Sequence, residues 1–372
     1  MKLIYLANAR IPTEKAHGIQ IMKMCEALSR QGLEIKLVIP WRFNRIKEDP
    51  FNYYNIKRVF KIKKLPSIDL IPLNFPKIGF WIQSISFSFF AFWYSLFRKS
   101  NLIYSRDLPC LWLSSFFKKN LVYEAHTFPQ YFFLYKQVFQ KTKAIIVITK
   151  KLKEVFIQKG ILKEKILVAP DGVDLNVFDI DISKEEARKK LNLPYNKKIA
   201  LYAGHLYEWK GAQILAEASK FLDKDTIVIF IGGTKEDEKE FREKNKDLNN
   251  ILILGYKPYS EIPYYLKTAD VLVLPNSAKE KISQYWTSPI KMFEYMASQR
   301  PMVASDLPSL REILSENNAI LIKPDNPGKL TQAIAKILKN PDFFDRISKQ
   351  AYRDVQRYSW SKRAKKIINF LN

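Results

Sequence analysis

Apolar residues fall along this chain in short runs and helical stripes. Lys2 to Asn8 is apolar and β-prone, Ile21, Met24, Cys25 and Leu28 recur at helical spacing as far as Gly32, and Ile35-Lys36-Leu37-Val38-Ile39-Pro40 follows at once. Strand, helix and strand in that order make a β-α-β unit, which predicts a parallel sheet. Trp41 to Lys64 reads as basic and irregular, and strands resume at Leu102, Leu121 and Ala144. The second half repeats the alternation. Its strand-like runs are Ile199–Ala203, Thr226–Ile231, Ile251–Leu254, Val271–Leu274, Met302–Ala304 and Ala319–Ile322, separated mostly by helix-period segments, which predicts a second doubly wound sheet. Between the halves, Ala169-Pro170-Asp171-Gly172-Val173-Asp174 has turn chemistry and Asp181 to Asn192 reads as a short charged helix. At 372 residues the chain is more than twice the roughly 150 that serve as a prior for one domain, so two domains are expected.

Charge changes the picture more than composition does. The net charge is +25, and residues 1–170 carry +19 of it against +6 for 171–372, which points to an anionic partner of the first half. Cys25 and Cys110 make no disulfide framework and no metal-ligand spacing, and the apolar run after Met1 is too short for a signal peptide, so a cytoplasmic setting is expected. Ile78 to Phe97 runs twenty residues without a charge and holds nine aromatics, about the length that crosses a bilayer. Strands of one sheet lie on both sides of it, however, and Gln83, Ser84, Ser86 and Ser88 dilute it. The reading is a helix buried partly in the core and partly in a membrane interface, with a purely structural core helix as the alternative.

Candidate chemistry sits at strand ends. Strand Ile199–Ala203 runs into Gly204-His205-Leu206-Tyr207-Glu208-Trp209-Lys210-Gly211, where a glycine admits a ligand to the backbone and a lysine holds a phosphate; a turn glycine with a surface lysine explains it as readily. In Thr287-Ser288-Pro289-Ile290-Lys291-Met292-Phe293-Glu294, Ser288 fits an N-cap and Pro289 the first helical position. Free amides at Ile290 and Lys291 then suit a diphosphate, and Glu294 suits ribose hydroxyls; an ordinary capped helix is the plain alternative. His126, one of three histidines, follows strand Leu121–Tyr123, and Ala16-His17-Gly18 occupies the first β-α turn.

Taken in order, these pieces, with Tyr123-Glu124-Ala125-His126, Pro170-Asp171-Gly172-Val173-Asp174, Pro301-Met302-Val303-Ala304-Ser305-Asp306 and Tyr358-Ser359-Trp360, resemble the retaining GT-B glycosyltransferases of glycosyltransferase family 4 over nearly the whole chain. The resemblance implies an α/β fold of two Rossmann-like doubly wound parallel-sheet domains facing a cleft. It places an acceptor-side domain at 1–170, a linker at 171–195, a nucleotide-sugar-binding domain at 196–355 and a C-terminal helix at 356–372 that returns to the first domain. It implies transfer of a sugar from a nucleoside-diphosphate sugar of UDP or GDP type with retention of configuration. No cofactor and no obligatory metal are implied. Catalysis would rest on His126, Lys210 and Glu294. The donor would be bound by Gly18, Gly204, His205, Lys210, Gly255, Tyr256, Lys257, Ser288, Ile290, Lys291 and Glu294, with Arg106 and His126 on the acceptor side.

This chain departs from the family pattern twice. Trp286 stands where a glutamate usually precedes Glu294 by eight positions, and His205 follows Gly204 where many members have an arginine nearby. With the basic first half and its aromatic segment, the expected acceptor is a lipid-linked saccharide or membrane glycolipid of cell-envelope or polysaccharide synthesis, reached from the inner face of an anionic membrane. Rival readings are a catalytically silent membrane-associated assembly protein of the same fold, and a basic nucleic-acid binder, for which no motif is present.

Overall fold

Seven strands of the first half pair in parallel: β1 (Lys2–Leu6), β2 (Glu34–Pro40), β3 (Lys61–Leu65), β4 (Leu102–Ser105), β5 (Leu121–Ala125), β6 (Ala144–Val147) and β7 (Ile166–Val168), in the order β3-β2-β1-β4-β5-β6-β7. Six more form the second sheet: β8 (Lys198–Ala203), β9 (Thr226–Ile231), β10 (Ile251–Gly255), β11 (Val271–Leu274), β12 (Met302–Ser305) and β13 (Ile320–Ile322), in the order β10-β9-β8-β11-β12-β13. Both are doubly wound, with helices between successive strands. The central strands are continuous apolar runs because they are covered on both faces, as in β6 and β11, where every residue is buried.

The structure is a computed structural model that describes residues 1–70 and 76–372, and these divide into two bodies, Met1–Pro170 with Trp360–Asn372, and Asp171–Ser359. Both strands that the apolar pattern does not reveal, β3 and β7, are edges of the first sheet. In β3 the run Lys61-Ile62-Lys63-Lys64-Leu65 places three lysines on a strand with only one neighbour, a composition that also discourages pairing with another chain.

The C-terminal helix Trp360–Leu371 packs on the helix Ala16–Arg30 and so completes the first body. Arg363 donates from Nε to the carbonyls of Ala169 and Pro170, and Lys366 Nζ donates to the Val168 carbonyl at 2.8 Å. Residues 171–195 lie within the second body, where Val173, Phe178 and Leu193 join its core. The charge therefore divides more sharply than the sequence halves show. The four basic residues of 360–372 bring the first body to +23 and leave +2 on the second.

The aromatic segment forms a helix, Pro76–Phe97, whose buried side mixes Phe87, Ala91 and Phe92 with polar residues and whose exposed side is apolar. Gln83, Ser84, Ser88 and Ser95 are buried, while Trp81, Ile85, Phe89, Trp93 and Phe97, spaced four residues apart, are exposed. The buried polar groups are placed among partners: Gln83 Nε2 donates to Asn8 Oδ1 at 2.8 Å and Ser95 Oγ to the Phe92 carbonyl at 2.9 Å. Phe92 meets Phe117 at a ring-centroid distance of 5.4 Å, and Trp112, Phe116 and Phe117, on and just beyond the adjoining helix Leu108–Ser114, continue the exposed aromatic surface. This is the one helix among the described residues that is long and apolar enough to cross a membrane.

Candidate functional site

In the second body four neighbouring strands deliver their carboxyl ends to one edge of the sheet. Gly204 follows β8, Gly232 follows β9, Gly255 closes β10 and Pro275 follows β11, the side of an open α/β sheet at which ligands bind. The backbone is packed tightly there. A β-carbon on Gly232, at φ 107°, would lie 2.5 Å from the Gly204 carbonyl oxygen, and one on Gly211, at φ 75°, 1.8 Å from that of Pro275. Only glycine allows these approaches. The Gly232-Gly233 pair was not singled out from the sequence, although paired glycines at a strand end are the signal for it.

Lys210 ends the turn Glu208–Lys210, with Nζ 3.8 Å from the centroid of the Trp209 ring. Burial of the ammonium lowers its pKa to about 8, against an opposing pull from Asp171. Ser288 does not cap the helix Ile290–Ala297 as the sequence suggests. Pro289 occupies the N-cap position, and the Ser288 hydroxyl accepts the Asp171 backbone N–H at 3.0 Å, which leaves no side chain on the helix's first amides. A proline cannot itself cap through its side chain, and the competing partner lies 117 residues away in sequence, beyond the reach of a local pattern. The helix is fixed to the end of β8 by Tyr295, whose hydroxyl accepts from Ala203 N at 2.7 Å.

One face of that helix carries Lys291 and Glu294, both almost fully buried. Lys291 Nζ lies 3.7 Å from the centroid of the Tyr202 ring. Burial, reinforced by repulsion from Lys210, holds its pKa well below that of a free lysine. Glu294 accepts a hydrogen bond from Tyr259 Oη at 2.9 Å. Burial raises its pKa to about 7, with the Tyr259 bond and Lys291 opposing the rise. The structure thus brings Gly204, Lys210, Lys291 and Glu294 to one edge of the sheet and adds Tyr202 and Tyr259, which sequence reasoning missed. His205 stacks on Tyr207 at 4.8 Å between centroids. Gly255, at φ 66°, packs on the Glu238 carboxylate, and Tyr256 is exposed. Lys257 Nζ lies 5.9 Å from the Tyr265 ring centroid.

In the first body the expected residues gather around a carboxylate that the sequence showed only as part of a motif. Glu124, the penultimate residue of β5, has no surface exposed, and it accepts from Gln20 Nε2 at 2.6 Å, Arg363 at 2.8 Å and the Tyr104 hydroxyl; its Oε1 is 2.9 Å from His126 Nε2. Arg106 reaches it through Gln20, donating to Gln20 Oε1 at 2.6 Å. Burial alone would raise the pKa of Glu124, but Arg363, His126 and Arg106 outweigh it and hold the carboxyl well below the usual range. Gly18 lies in the first turn of Ala16–Arg30, and a β-carbon there would meet the Tyr54 hydroxyl at 2.1 Å. Its small size therefore serves packing against Tyr54, which accepts from Thr13 N and donates to Thr13 O.

Each of these bodies is similar to known proteins. Residues 18–177 match Glycosyltransferase Family 4, and residues 183–354 match Glycosyl transferases group 1. An uncharacterized glycosyltransferase, MJ1607 of Methanocaldococcus jannaschii, is 29% identical over 60% of this chain and 58% of its own length. The putative teichuronic acid biosynthesis glycosyltransferase TuaC of Bacillus subtilis is 24% identical over 63% and 57%. The chain thus spans a little under three-fifths of the length of these curated relatives. Among solved structures, Anabaena HepE in complex with UDP and glucose is similar over 99% of this chain and 98% of that one, with a TM-score of 0.78 at 17% identity, which is a likeness of fold. The two bodies thus match, in succession, Glycosyltransferase Family 4 and Glycosyl transferases group 1, on the two-sheet GT-B fold that the chain shares along its whole length.

Proposed function

We propose that this chain moves a sugar from a nucleoside-diphosphate sugar to an acceptor with retention of anomeric configuration. The observation that carries the reading is the cluster of Lys210, Lys291 and Glu294 around the Gly204 backbone at the carboxyl ends of β8 to β11. It offers two ammonium groups and a helix N-terminus to a diphosphate and a carboxylate to ribose hydroxyls. When the bond between the anomeric carbon and the diphosphate oxygen breaks, negative charge grows on the departing diphosphate. Cations already in place stabilise it without reorganising. The acceptor hydroxyl bonds to the same carbon from the face the diphosphate leaves, and its proton passes to the departing phosphate oxygen. Holding both partners on that one face of the sugar supplies much of the remaining rate.

A UDP or GDP donor of the hexosyl or N-acetylhexosaminyl class, used without a cofactor, fits this site, and HepE, of the same fold, was solved with UDP and glucose. The nucleotide is assigned to the second body and the acceptor to the first, where His126 and Arg106 share the Glu124 network. The test is incubation of each radiolabelled donor with a membrane lipid extract. Label should move into an extractable product whose proton coupling at the anomeric carbon matches that of the donor. A product of opposite configuration ends the retaining part of the reading; no transfer from any donor ends the rest.

The apolar exposed side of the helix Pro76–Phe97 favours an acceptor held in a membrane on the cytoplasmic side. Its exposed stripe of Trp81, Ile85, Phe89, Trp93 and Phe97 is flanked by Arg98, Lys99, Lys118 and Lys119, and the first body carries +23. Aromatic burial in the interface combined with lysine attraction to anionic lipid is the recipe for peripheral binding. The chain is expected to float with vesicles containing anionic phospholipid at low salt, to float less at high salt, and to lose flotation when Trp81, Phe89 and Trp93 are all replaced by serine. Flotation that is equal with purely zwitterionic vesicles would remove the charge from the explanation.

A further inference from the structure

The ammonium of Lys291 has no hydrogen-bond partner among the described residues, although the side chain is only 8% exposed. An ammonium carries three donors, and leaving them unmade away from water is costly. Stacking on the Tyr202 ring at 3.7 Å repays part of that cost. The charged neighbours are Glu294, one turn further along the same helix, and Lys210, which repels it. A lysine so placed is complete only when an anion arrives. The direction in which the side chain runs says where: Nζ would lie 3.1 Å from a β-carbon at Gly204, so it reaches from the helix Ile290–Ala297 to the backbone at the end of β8.

Building on the nucleotide reading, we propose that the Lys291 side chain, and not only its backbone amide, is the second cation of the diphosphate site, acting beside Lys210. Glu294 acts on Lys291 and Asp171 on Lys210, but neither carboxylate gives Lys291 Nζ a hydrogen bond, so that ammonium is still short of an anionic acceptor. A diphosphate supplies that acceptor, and a neutral nucleoside does not. Lys291 thereby provides, from a different element, the charge that an arginine near Gly204 would bring, while His205 at that point is engaged in stacking on Tyr207. The position also gives Gly204 a second reason to be glycine, since a side chain there would press on Lys291.

The test uses the full chain and calorimetry with UDP, GDP, ADP and dTDP, together with the nucleoside of whichever base binds. Lys291→Met should weaken binding of the diphosphate at least tenfold while leaving the nucleoside within about twofold, and Lys291→Arg should restore most of the diphosphate affinity. Unchanged diphosphate affinity in Lys291→Met overturns the proposal, as does an equal loss for diphosphate and nucleoside, which marks general damage to the pocket. If Lys291→Met fails to fold, Lys291→Gln, which keeps polar atoms but not the charge, is held to the same two criteria. Failure of the unsubstituted chain to bind any diphosphate defeats the nucleotide reading itself and this proposal with it, an outcome distinct from binding that ignores Lys291.

Discussion

Arg363→Ala is expected to cost about 3–5 kcal/mol of the first body's stability, the range for removing one partner of a buried ion pair. The arginine is 3% exposed and faces a carboxylate with no exposure, so the substitution leaves Glu124 charged in the interior with one cation fewer. It also frees the Ala169 and Pro170 carbonyls that the same guanidinium holds. Arg363→Lys should recover little, because a single ammonium cannot serve the carboxylate and both carbonyls as a planar fork does. The pH dependence has a definite sign. The folded-state pKa of Glu124 is depressed, so its stabilisation is present above the ordinary carboxylate pKa and is lost as pH falls through the depressed value. The deficit of Arg363→Ala should therefore shrink in acid. Urea melts from pH 7 downward measure this, and a deficit below about 0.5 kcal/mol at pH 7 would show that the network carries no stability.

Lys210→Ala is expected to weaken binding of the cognate nucleoside diphosphate about 10- to 100-fold, since a charge-assisted hydrogen bond in a sheltered site is worth about 1.5–3 kcal/mol. The unsubstituted chain should show the reason in its pH profile. With the pKa of Lys210 near 8 in the empty site, diphosphate affinity should fall as pH rises through 8, because the ammonium must then be reprotonated on binding. At the other end, Glu294, near 7, protonates as pH falls and ceases to be a charged acceptor for ribose hydroxyls. Titration calorimetry at half-unit steps from pH 6 to 9 should give a maximum between 7 and 8. A flat profile would mean that neither group touches the nucleotide.

How much of this was legible in the sequence depended on whether a residue's partner was local. The central strands announce themselves because burial on both faces forces unbroken apolar runs, as in Val271-Leu272-Val273-Leu274. The edge strand Lys61–Leu65 does not, since one side of it needs no partner and its lysines read as loop. The helix Pro76–Phe97 was visible by length and lack of charge. Which aromatics face outward was not, because periodicity alone assigns aromatics inward and serines outward, and here only Phe87 and Phe92 turn inward while Gln83 and Ser95 find hydrogen bonds in the interior. At the candidate site, Gly204 and Lys210 were legible from strand-end position and Glu294 from the Ser288-Pro289 helix start. The partners that set their chemistry were not: Tyr259 is 35 residues from Glu294, and Arg363 is 239 residues from Glu124. The Ser288 hydroxyl looked like a cap from its neighbours and serves Asp171 instead.

Charge followed a similar course. The +25 of the whole chain is compatible with any polyanion, but the folded bodies hold +23 and +2. The nearly neutral body is the one with two lysines gathered around a glycine backbone, the place proposed for a small anion recognised by position and not by a broad field. The strongly basic body is the one with the exposed aromatic stripe.

The most direct measurement is a calorimetric titration of the full chain with UDP, GDP, ADP and dTDP at pH 7.5. Binding of one or two of these, abolished or much weakened in Lys210→Ala and in Lys291→Met but retained in the membrane-face triple serine variant, is the expected result. Heat-silent titrations with all four nucleotides, from a chain shown to be folded, would place its function elsewhere.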